Sequence, residues 1–304
     1  MNTNNLQLSQ VVETGSYKKL LAEVRRIFLF HYSDKAYKKV QKAASLTKEL
    51  FEGDFEGYKA CNTEYHDLKH TMDALLASMR LIDGYNLEET PLPEPLALNL
   101  LIAALFHDTG YIQESGDDEG TGAKFTKNHV ERSILFLENH HKQFGISRSS
   151  ITVISQIIQC TGLSVDLESI PFAGREDRIA GYILGTADLL GQMSDRTYLE
   201  KLVFLYNEFR EAGIMGFDTE FDILRKTLEF YKLTKNRFSS NLMNIFQYAR
   251  HHFRERFQSD RNLYIEAIDR HMDYLKTILE DDTTNFRHKL KRMNLNEIKA
   301  DLHH

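Results

Sequence analysis

Proline is scarce in this chain, and that scarcity limits what the chain can fold into. The 304 residues contain four prolines, three of them grouped at Pro91, Pro93 and Pro95. Turn dipeptides are also rare between long stretches of helically spaced apolar residues, whereas strands and short elements are usually separated by such residues. The pattern predicts an all-α fold of about ten to twelve helices and no strand.

Apolar residues at helical spacing extend along most of the chain. They predict helices at residues 17–32, 36–51, 61–81, 96–106, 126–141, 149–160, 175–190, 199–210, 221–231, 237–258 and 262–280. The run 96–106 (LALNLLIAALF) is apolar nearly all round, as in a buried central helix, and Gly110 is expected to end it in a left-handed conformation. Gly181 and Gly185 should let another helix approach closely. We expect one domain over residues 1–304.

Composition excludes several classes of protein. The formal net charge of −6 argues against a dedicated nucleic-acid surface, and the basic stretch 287–292 (RHKLKR) is expected to be a solvated tail. Cys61 and Cys160 have no pair spacing, and the N-terminal residues MNTNNLQLSQ form no apolar leader, so we expect a cytoplasmic protein. The longest apolar stretch is shorter than the roughly 20 residues of a membrane span, so none is expected.

Four short segments, spaced far apart, carry side chains that bind metals. They are His66 and His70 in YHDLKH, His107 and Asp108 in LFHDTG, His129 in KNHVERS, and Asp188 in TADLLGQ. Imidazole nitrogen and carboxylate oxygen are donors that suit zinc, iron, manganese or nickel. Each segment alone is more typical of a structural role, but together, in apolar settings that tolerate charge poorly without an ion, they predict one metal site.

Helical geometry limits how these donors can meet. His66 and His70 are four residues apart and share a helix face if the helix begins at the polar residues 61–63, which places His66 in its first turn. His107 and Asp108 would point about 100° apart in the middle of a helix. They can therefore share an ion only near a helix end, which the apolar run ending at Phe106 provides.

These segments resemble those of the HD-domain metal-dependent phosphohydrolases, and among them the cyclic nucleotide phosphodiesterases. YHDLKH is similar to the family segment YHNxxH, FHD at 106–108 to the HD signature, Asn128-His129 to the NHH segment, and ADL at 187–189 to the late aspartate. The resemblance covers roughly residues 61–210. It implies an HD-type helical bundle there, with helical extensions at 1–60 and 211–304.

The resemblance also implies a role for each matching residue. His70, His107, Asp108 and Asp188 would bind a first metal, with Asp108 bridging to a second and His129 near that second ion, directly or through water. His66 would be the general acid. The implied cofactors are two divalent ions, with Zn, Mg, Mn, Fe and Ni all open, and the implied partner is a small-molecule phosphoester.

The chain also departs from the family pattern. Residues 138–141 (ENHH) match the phosphodiesterase letters better than Lys127-Asn128-His129-Val130 do, but they lie eleven residues further along the predicted helix. We choose His129 because of its distance from the HD pair, which leaves His140 and His141 at a helix end. Asp67 replaces an asparagine, and the acidic glycine-rich loop 113–122 replaces the phosphodiesterase HPG turn.

Substrate recognition is less determined than metal binding. No residue can be assigned to the substrate, and Gln192, Gln247 and Gln258 are all open as the purine-binding glutamine of the phosphodiesterases. Arg175, Arg178 and Arg196 could hold a phosphate, although surface ion pairs are their more typical use. The remaining histidines are expected to be packing or surface residues. They are His31, His251, His252, His271, His288, His303 and His304.

The expected mechanism is attack on phosphorus by a metal-activated hydroxide, with His66 protonating the leaving oxygen. His66 then requires a carboxylate partner, which Glu64, Asp67 or a distant glutamate could supply. A phosphodiester such as a 3',5'-cyclic nucleotide is the first substrate hypothesis, and a nucleotide or phosphomonoester is the second.

Two other functions are compatible with the same fold class. The third hypothesis is a catalytically silent HD ligand-binding or interaction module, which the complete donor set argues against. A diiron oxygenase is disfavoured because residues 159–161 (QCT) lack the further histidine it would normally use. A homodimer is left open.

Overall fold

Twelve α-helices, joined by turns and longer loops, build the part of the chain that the computed structural model describes, residues 5–281 and 283–293. The helices are α1 (Leu8–Val11), α2 (Tyr17–Phe28), α3 (Asp34–Glu52), α4 (Leu68–Glu88), α5 (Glu94–Phe106), α6 (His129–His140), α7 (Arg148–Gln159), α8 (Arg175–Ser194), α9 (Tyr198–Glu211), α10 (Glu220–Asn236), α11 (Tyr248–Phe257) and α12 (Leu263–Glu280). These residues form no strand, only an isolated bridge between Tyr58 and Glu114. The all-α prediction is confirmed.

Helices α4, α5 and α8 form the centre of the molecule. They pack against one another, and α7 packs against both α5 and α8. Helix α5 is buried along almost its whole length because its residues are apolar on every face. Gly191 of α8 lies directly against α4, where an added Cβ would come within 3.1 Å of the Ala74 backbone nitrogen. This close contact brings the site residues on α4 and α8 together.

The N- and C-terminal helices cover this centre. Helices α2 and α3 pack on α4 and α5, while α11 and α12 pack on α4 and α8. A buried ion cluster joins these layers, since Asp83 of α4 lies 2.7 Å from nitrogen atoms of His31, His252 and Arg256. These two histidines are packing residues, as expected, whereas His303 and His304 lie outside the described residues. Across residues 5–281 and 283–293, no helix is both long enough and apolar enough to cross a membrane.

The predicted start of the histidine-bearing helix was wrong. Helix α4 begins at Leu68, and Asp67 is its N-cap, accepting a hydrogen bond from the His70 backbone N–H at 2.7 Å. Aspartate is among the strongest N-cap residues and competes successfully with the upstream polar residues. His66 therefore precedes the helix, and its backbone carbonyl accepts a hydrogen bond from the Thr63 hydroxyl.

Two further local expectations are corrected. Gly110 does not have a positive φ, and it lies in the 3-10 turn Thr109–Tyr111 that follows α5. Its missing side chain is needed for close packing, because an added Cβ would lie 2.0 Å from the His129 carbonyl oxygen. The stretch predicted as one helix at 237–258 is interrupted, and only Tyr248–Phe257 is regular α-helix, with positive φ at Met243 and Asn244 before it.

The paired glycines of α8 behave as expected. Cβ atoms added at Gly181 and Gly185 would come within 2.7 Å of the Cys160 side chain and 2.6 Å of its carbonyl oxygen, respectively. The end of α7 therefore packs directly on the backbone of α8. This packing supports the helix that carries Asp188.

Candidate metal centre

Three helices deliver four polar side chains to one buried point. His70 lies in the first turn of α4, His107 and Asp108 follow the last residue of α5, and Asp188 lies on α8. All four residues are buried, with exposed fractions between 1% and 8%. The predicted position of the His-Asp pair at the end of a core helix is confirmed.

The donor atoms face one another at short range. The Nε2 atom of His70 lies 3.3 Å from Nε2 of His107, 3.2 Å from Asp108 Oδ2 and 3.1 Å from Asp188 Oδ1. The Nε2 atom of His107 lies 3.3 Å and 3.6 Å from the same two carboxylate oxygens. Ligands held 2.0–2.1 Å from a tetrahedral ion are about 3.3 Å apart. His70, His107 and Asp108 place donor atoms within 4.8 Å of one another, close enough to share an ion, and Asp188 adds a carboxylate oxygen near both imidazoles.

The charges within this cluster stabilise one another. Burial opposes ionisation of His70, but the carboxylates of Asp108 and Asp188 outweigh it and raise the pKa of His70 to about 9. The pKa of His107 is raised well above its usual value for the same reason. Burial alone would raise the pKa values of Asp108 and Asp188, but the two imidazoles outweigh burial and lower both pKa values. Both carboxylates are therefore ionised at neutral pH and available as ligands.

Neighbouring groups orient the donors. His107 Nδ1 lies 2.8 Å from the Ala104 carbonyl oxygen, and donation to that carbonyl directs Nε2 towards the cluster, where a bound ion would replace its proton. The Ser133 hydroxyl of α6 donates to the His107 carbonyl at 2.7 Å and accepts from the Gly110 N–H at 2.8 Å. The Asp108 Oδ2 atom is buried without a hydrogen-bond donor. A buried carboxylate oxygen beside two imidazole nitrogens suits a cation, which would displace the imidazole protons on binding.

Asp108 also faces a second position. While its Oδ2 points to His70 and His107, its Oδ1 lies 3.9 Å from Nε2 of His129. His129 begins α6, and its Nδ1 lies 2.8 Å from the Thr126 carbonyl, so Nε2 is again the free atom. Burial lowers the pKa of His129, which keeps this imidazole neutral and able to bind a metal. The Asp108 carboxylate thus faces His70 and His107 through Oδ2 and His129 through Oδ1.

His66 lies beside this arrangement and is held by a distant glutamate. Its Nδ1 is 2.6 Å from Glu208 Oε2, and the other carboxylate oxygen of Glu208 accepts the Tyr65 backbone N–H at 2.8 Å. The ring of Tyr111 stacks on His66 with centroids 4.3 Å apart and on His129 with centroids 4.7 Å apart. The carboxylate partner is therefore a residue of α9, and neither Glu64 nor Asp67 fills that role.

Other residues considered from the sequence lie elsewhere or are already engaged. His140 contacts Tyr58 through a 2.9 Å hydrogen bond at the far end of α6, as expected from the choice of His129. Gln192 accepts a hydrogen bond from the Tyr65 hydroxyl at 2.6 Å, and its amide nitrogen is 3.4 Å from Asp188. It therefore helps to hold Asp188. Gln247 and Gln258, like the arginines at 175, 178 and 196, do not line the cavity described below.

Sequence reasoning missed three supporting residues. Glu208 belongs to a charged helix with no motif around it, Tyr111 follows the HD pair without a recognisable pattern, and Ser133 is a single hydroxyl on the apolar face of α6. The only available signal was the need of His66 for a carboxylate, which left a distant glutamate open. None of the three could have been identified from its immediate neighbours.

The candidate metal centre opens into a cavity of about 450 Å³. His66, His70, Asp108, His129 and Asp188 form part of its wall. The remainder is supplied mainly by α9, α10 and the segments that follow α7 and α9. This volume lies within the range of small-molecule binding sites.

Comparison with known proteins gives one similarity. The family model described as Npun_R2479-like matches residues 115–254, which is less than half of the chain. The matched stretch includes His129, Asp188 and Glu208 but begins after His70 and the His107-Asp108 pair. No curated protein sequence matches the chain. The resemblance to the HD-domain phosphohydrolases therefore stays a prediction that depends on the motifs and their order.

Proposed function

We propose that this chain is a metal-dependent phosphohydrolase of the HD type, acting on a phosphoester and most simply on a phosphodiester. The observation that carries the proposal is the convergence of His70, His107 and Asp108, whose donor atoms lie within 4.8 Å of one another, with Asp188 Oδ1 3.1 Å from His70 Nε2. A buried group of two imidazoles and two carboxylates with no compensating function would be expensive to maintain. The second face of Asp108, directed at His129, supports a pair of ions sharing one carboxylate.

Each residue has a definite task in this proposal. His70, His107 and Asp188 would hold one divalent ion, His129 would approach a second, and Asp108 would join the two. Ions bound there would polarise the phosphoryl oxygens and supply a water acidic enough to attack phosphorus at neutral pH.

His66 would transfer a proton to the leaving oxygen. Glu208 orients its ring through Nδ1, which leaves Nε2 as the atom that would donate to the leaving oxygen. Tyr111 stacks on the same ring and limits its rotation. Glu208 and Tyr111 are therefore positioning residues in this proposal.

The second candidate is hydrolysis of a phosphomonoester or nucleotide by the same residues. The donor cluster itself favours this candidate, because ions bound there would act on the phosphoryl group, which phosphodiesters, phosphomonoesters and nucleotides all contain. A silent ligand-binding module would need neither the aligned His66–Glu208 pair nor a bridging carboxylate. Hydrolysis of a phosphoester is therefore preferred to a silent module, and the substrate assay below distinguishes diester from monoester.

The test is a hydrolysis assay on purified full-length chain stripped of metal and reloaded separately with Zn, Mn, Mg, Fe or Ni. Substrates are bis(nitrophenyl) phosphate, nitrophenyl phosphate, nucleotides and 3',5'-cyclic nucleotides. The proposal expects diester hydrolysis that needs added metal and is lost in Asp108→Asn.

The matched control is Asp73→Asn. Asp73 is a buried carboxylate on α4 that pairs with Lys69 at 2.6 Å and is not one of the four donors. Activity on monoesters or nucleotides alone would favour the second candidate. Metal binding without turnover of any substrate would contradict both candidates and favour the silent module.

A further inference from the structure

The cavity beside the metal centre has an apolar wall. Six of its apolar residues come from α9, α10 and the loop at 212–219 between them. They are Leu202, Leu205, Phe209, Ile214, Phe217 and Phe230. All but Leu202 are only partly buried, so their exposed faces contribute to the surface of the cavity instead of being completely covered by the core. An apolar surface of this kind is stabilised when a ligand removes it from water.

Most polar side chains of the same wall are engaged within the protein. The hydroxyls of Thr161 and Thr227 donate to backbone carbonyls of the neighbouring turn, at 2.9 and 2.7 Å. Lys127 and Lys226 donate to carbonyls of the loop at 212–219. These bonds hold the wall in place and use both hydroxyl hydrogens, while each exposed lysine ammonium keeps two further N–H donors at the edge of the cavity.

The one amide in the wall is also occupied. Gln192 accepts from Tyr65 and lies within hydrogen-bond distance of Asp188. Glu131 and Ser164 make no side-chain hydrogen bond among the described residues, but both are exposed to solvent. A nucleobase carries several donors and acceptors, and its transfer from water into this cavity would leave many of them unpaired.

We infer that the ester group accepted by this site is an alkyl or aryl chain, so the substrate is a phosphoester of an apolar alcohol and not a nucleotide. The inference rests on the proposed function and narrows its substrate class. The phosphoryl group would lie at the metal centre, and the apolar group would extend between α9 and α10. This substrate replaces the cyclic nucleotide that the family resemblance implies.

Binding can be measured without turnover. Calorimetry of the metal-loaded full chain with n-alkylphosphonates, from methyl to hexyl, should show affinity rising about fourfold per methylene, as expected for burial of each CH₂. In Phe230→Gln the rise per methylene should be clearly smaller. Leu233→Gln, on the same helix but 67% exposed and outside the cavity, should behave as the unmodified chain does.

Several outcomes would overturn the inference. They are an affinity independent of chain length, an unchanged dependence in Phe230→Gln, or a 3',5'-cyclic nucleotide that binds more tightly than hexylphosphonate. Thermal unfolding of both variants separates loss of fold from loss of the apolar contact.

A hydrolysis series distinguishes this inference from the proposed function. With alkyl nitrophenyl phosphodiesters, kcat/KM should rise with alkyl length. Metal-dependent hydrolysis that does not depend on alkyl length would refute the substrate class alone. Chain-length-dependent binding with no hydrolysis of any ester would support the ligand class and refute the phosphohydrolase.

Discussion

Metal binding at the buried cluster should stabilise the fold, and Asp108→Asn should remove most of that stabilisation. The substitution nearly preserves side-chain volume but replaces an anionic ligand that lies 3.2 and 3.3 Å from the two imidazoles. It also removes the carboxylate shared with His129. We expect an affinity at least about 100-fold lower, because changes outside the ligand shell alone typically weaken metal binding by about 10–100-fold.

The size of the effect follows from ligand linkage. An ion present at about 100 times its dissociation constant adds about 2.7 kcal/mol to the free energy of unfolding. With an unfolding entropy of about 2.1 cal/mol/K per residue, this raises Tm by about 4 °C in a chain of 304 residues. A 100-fold weaker site at the same ion concentration retains about 0.4 kcal/mol, which is less than about 1 °C.

Differential scanning calorimetry, with and without each divalent ion, measures these shifts. Each variant is compared with its own chelator-treated form, so a change in the stability of the metal-free fold does not enter the comparison. Asp73→Asn should retain the shift of about 4 °C. A full shift in Asp108→Asn, or no shift in the unmodified chain with any of the five ions, would refute the assignment of the cluster as a metal site.

Three other predictions concern catalysis, packing and pH. Glu208→Gln should lower kcat about 100-fold on esters with alkyl leaving groups, because His66 loses its charged partner. Steady-state kinetics on nitrophenyl esters should show a much smaller loss, since that leaving group needs no proton, and equal losses would contradict the role of His66. Gly110→Ala should lower the free energy of unfolding in urea by about 3 kcal/mol or more, because its Cβ would meet the His129 carbonyl. Gly116→Ala, which has open space, should have little effect, and similar values for both would refute the packing argument. Burial lowers the pKa of His252 to about 4. As pH falls, the imidazole of His252 is therefore protonated in the unfolded chain before it is protonated in the folded chain. The free energy of unfolding should fall by about 3 kcal/mol as pH drops from about 6.5 to about 4. His252→Gln should flatten that dependence in urea titrations, and an unchanged slope would show that other groups cause it.

The features that the sequence predicts correctly are those that depend on residues close together in the chain. Helical spacing of apolar residues and the scarcity of proline gave the all-α class, because each helix buries a face defined by residues three and four apart. The apolar run before His107 likewise located the His-Asp pair at the end of a core helix. The predicted start of α4 was wrong because residues 61–63 and Asp67 can both cap a helix. A small difference in local preference decides in favour of Asp67.

Contacts between distant segments depended on how the helices pack. Nothing near Glu208 in the chain identifies it as the partner of His66, since these residues are 142 positions apart and meet only when α9 lies beside the segment that precedes α4. The apolar cavity is likewise formed by helix faces whose pattern is the same as that of ordinary core. A periodic pattern specifies which face of a helix is buried but not which element covers it, and that depends on the shapes of all the packed surfaces together.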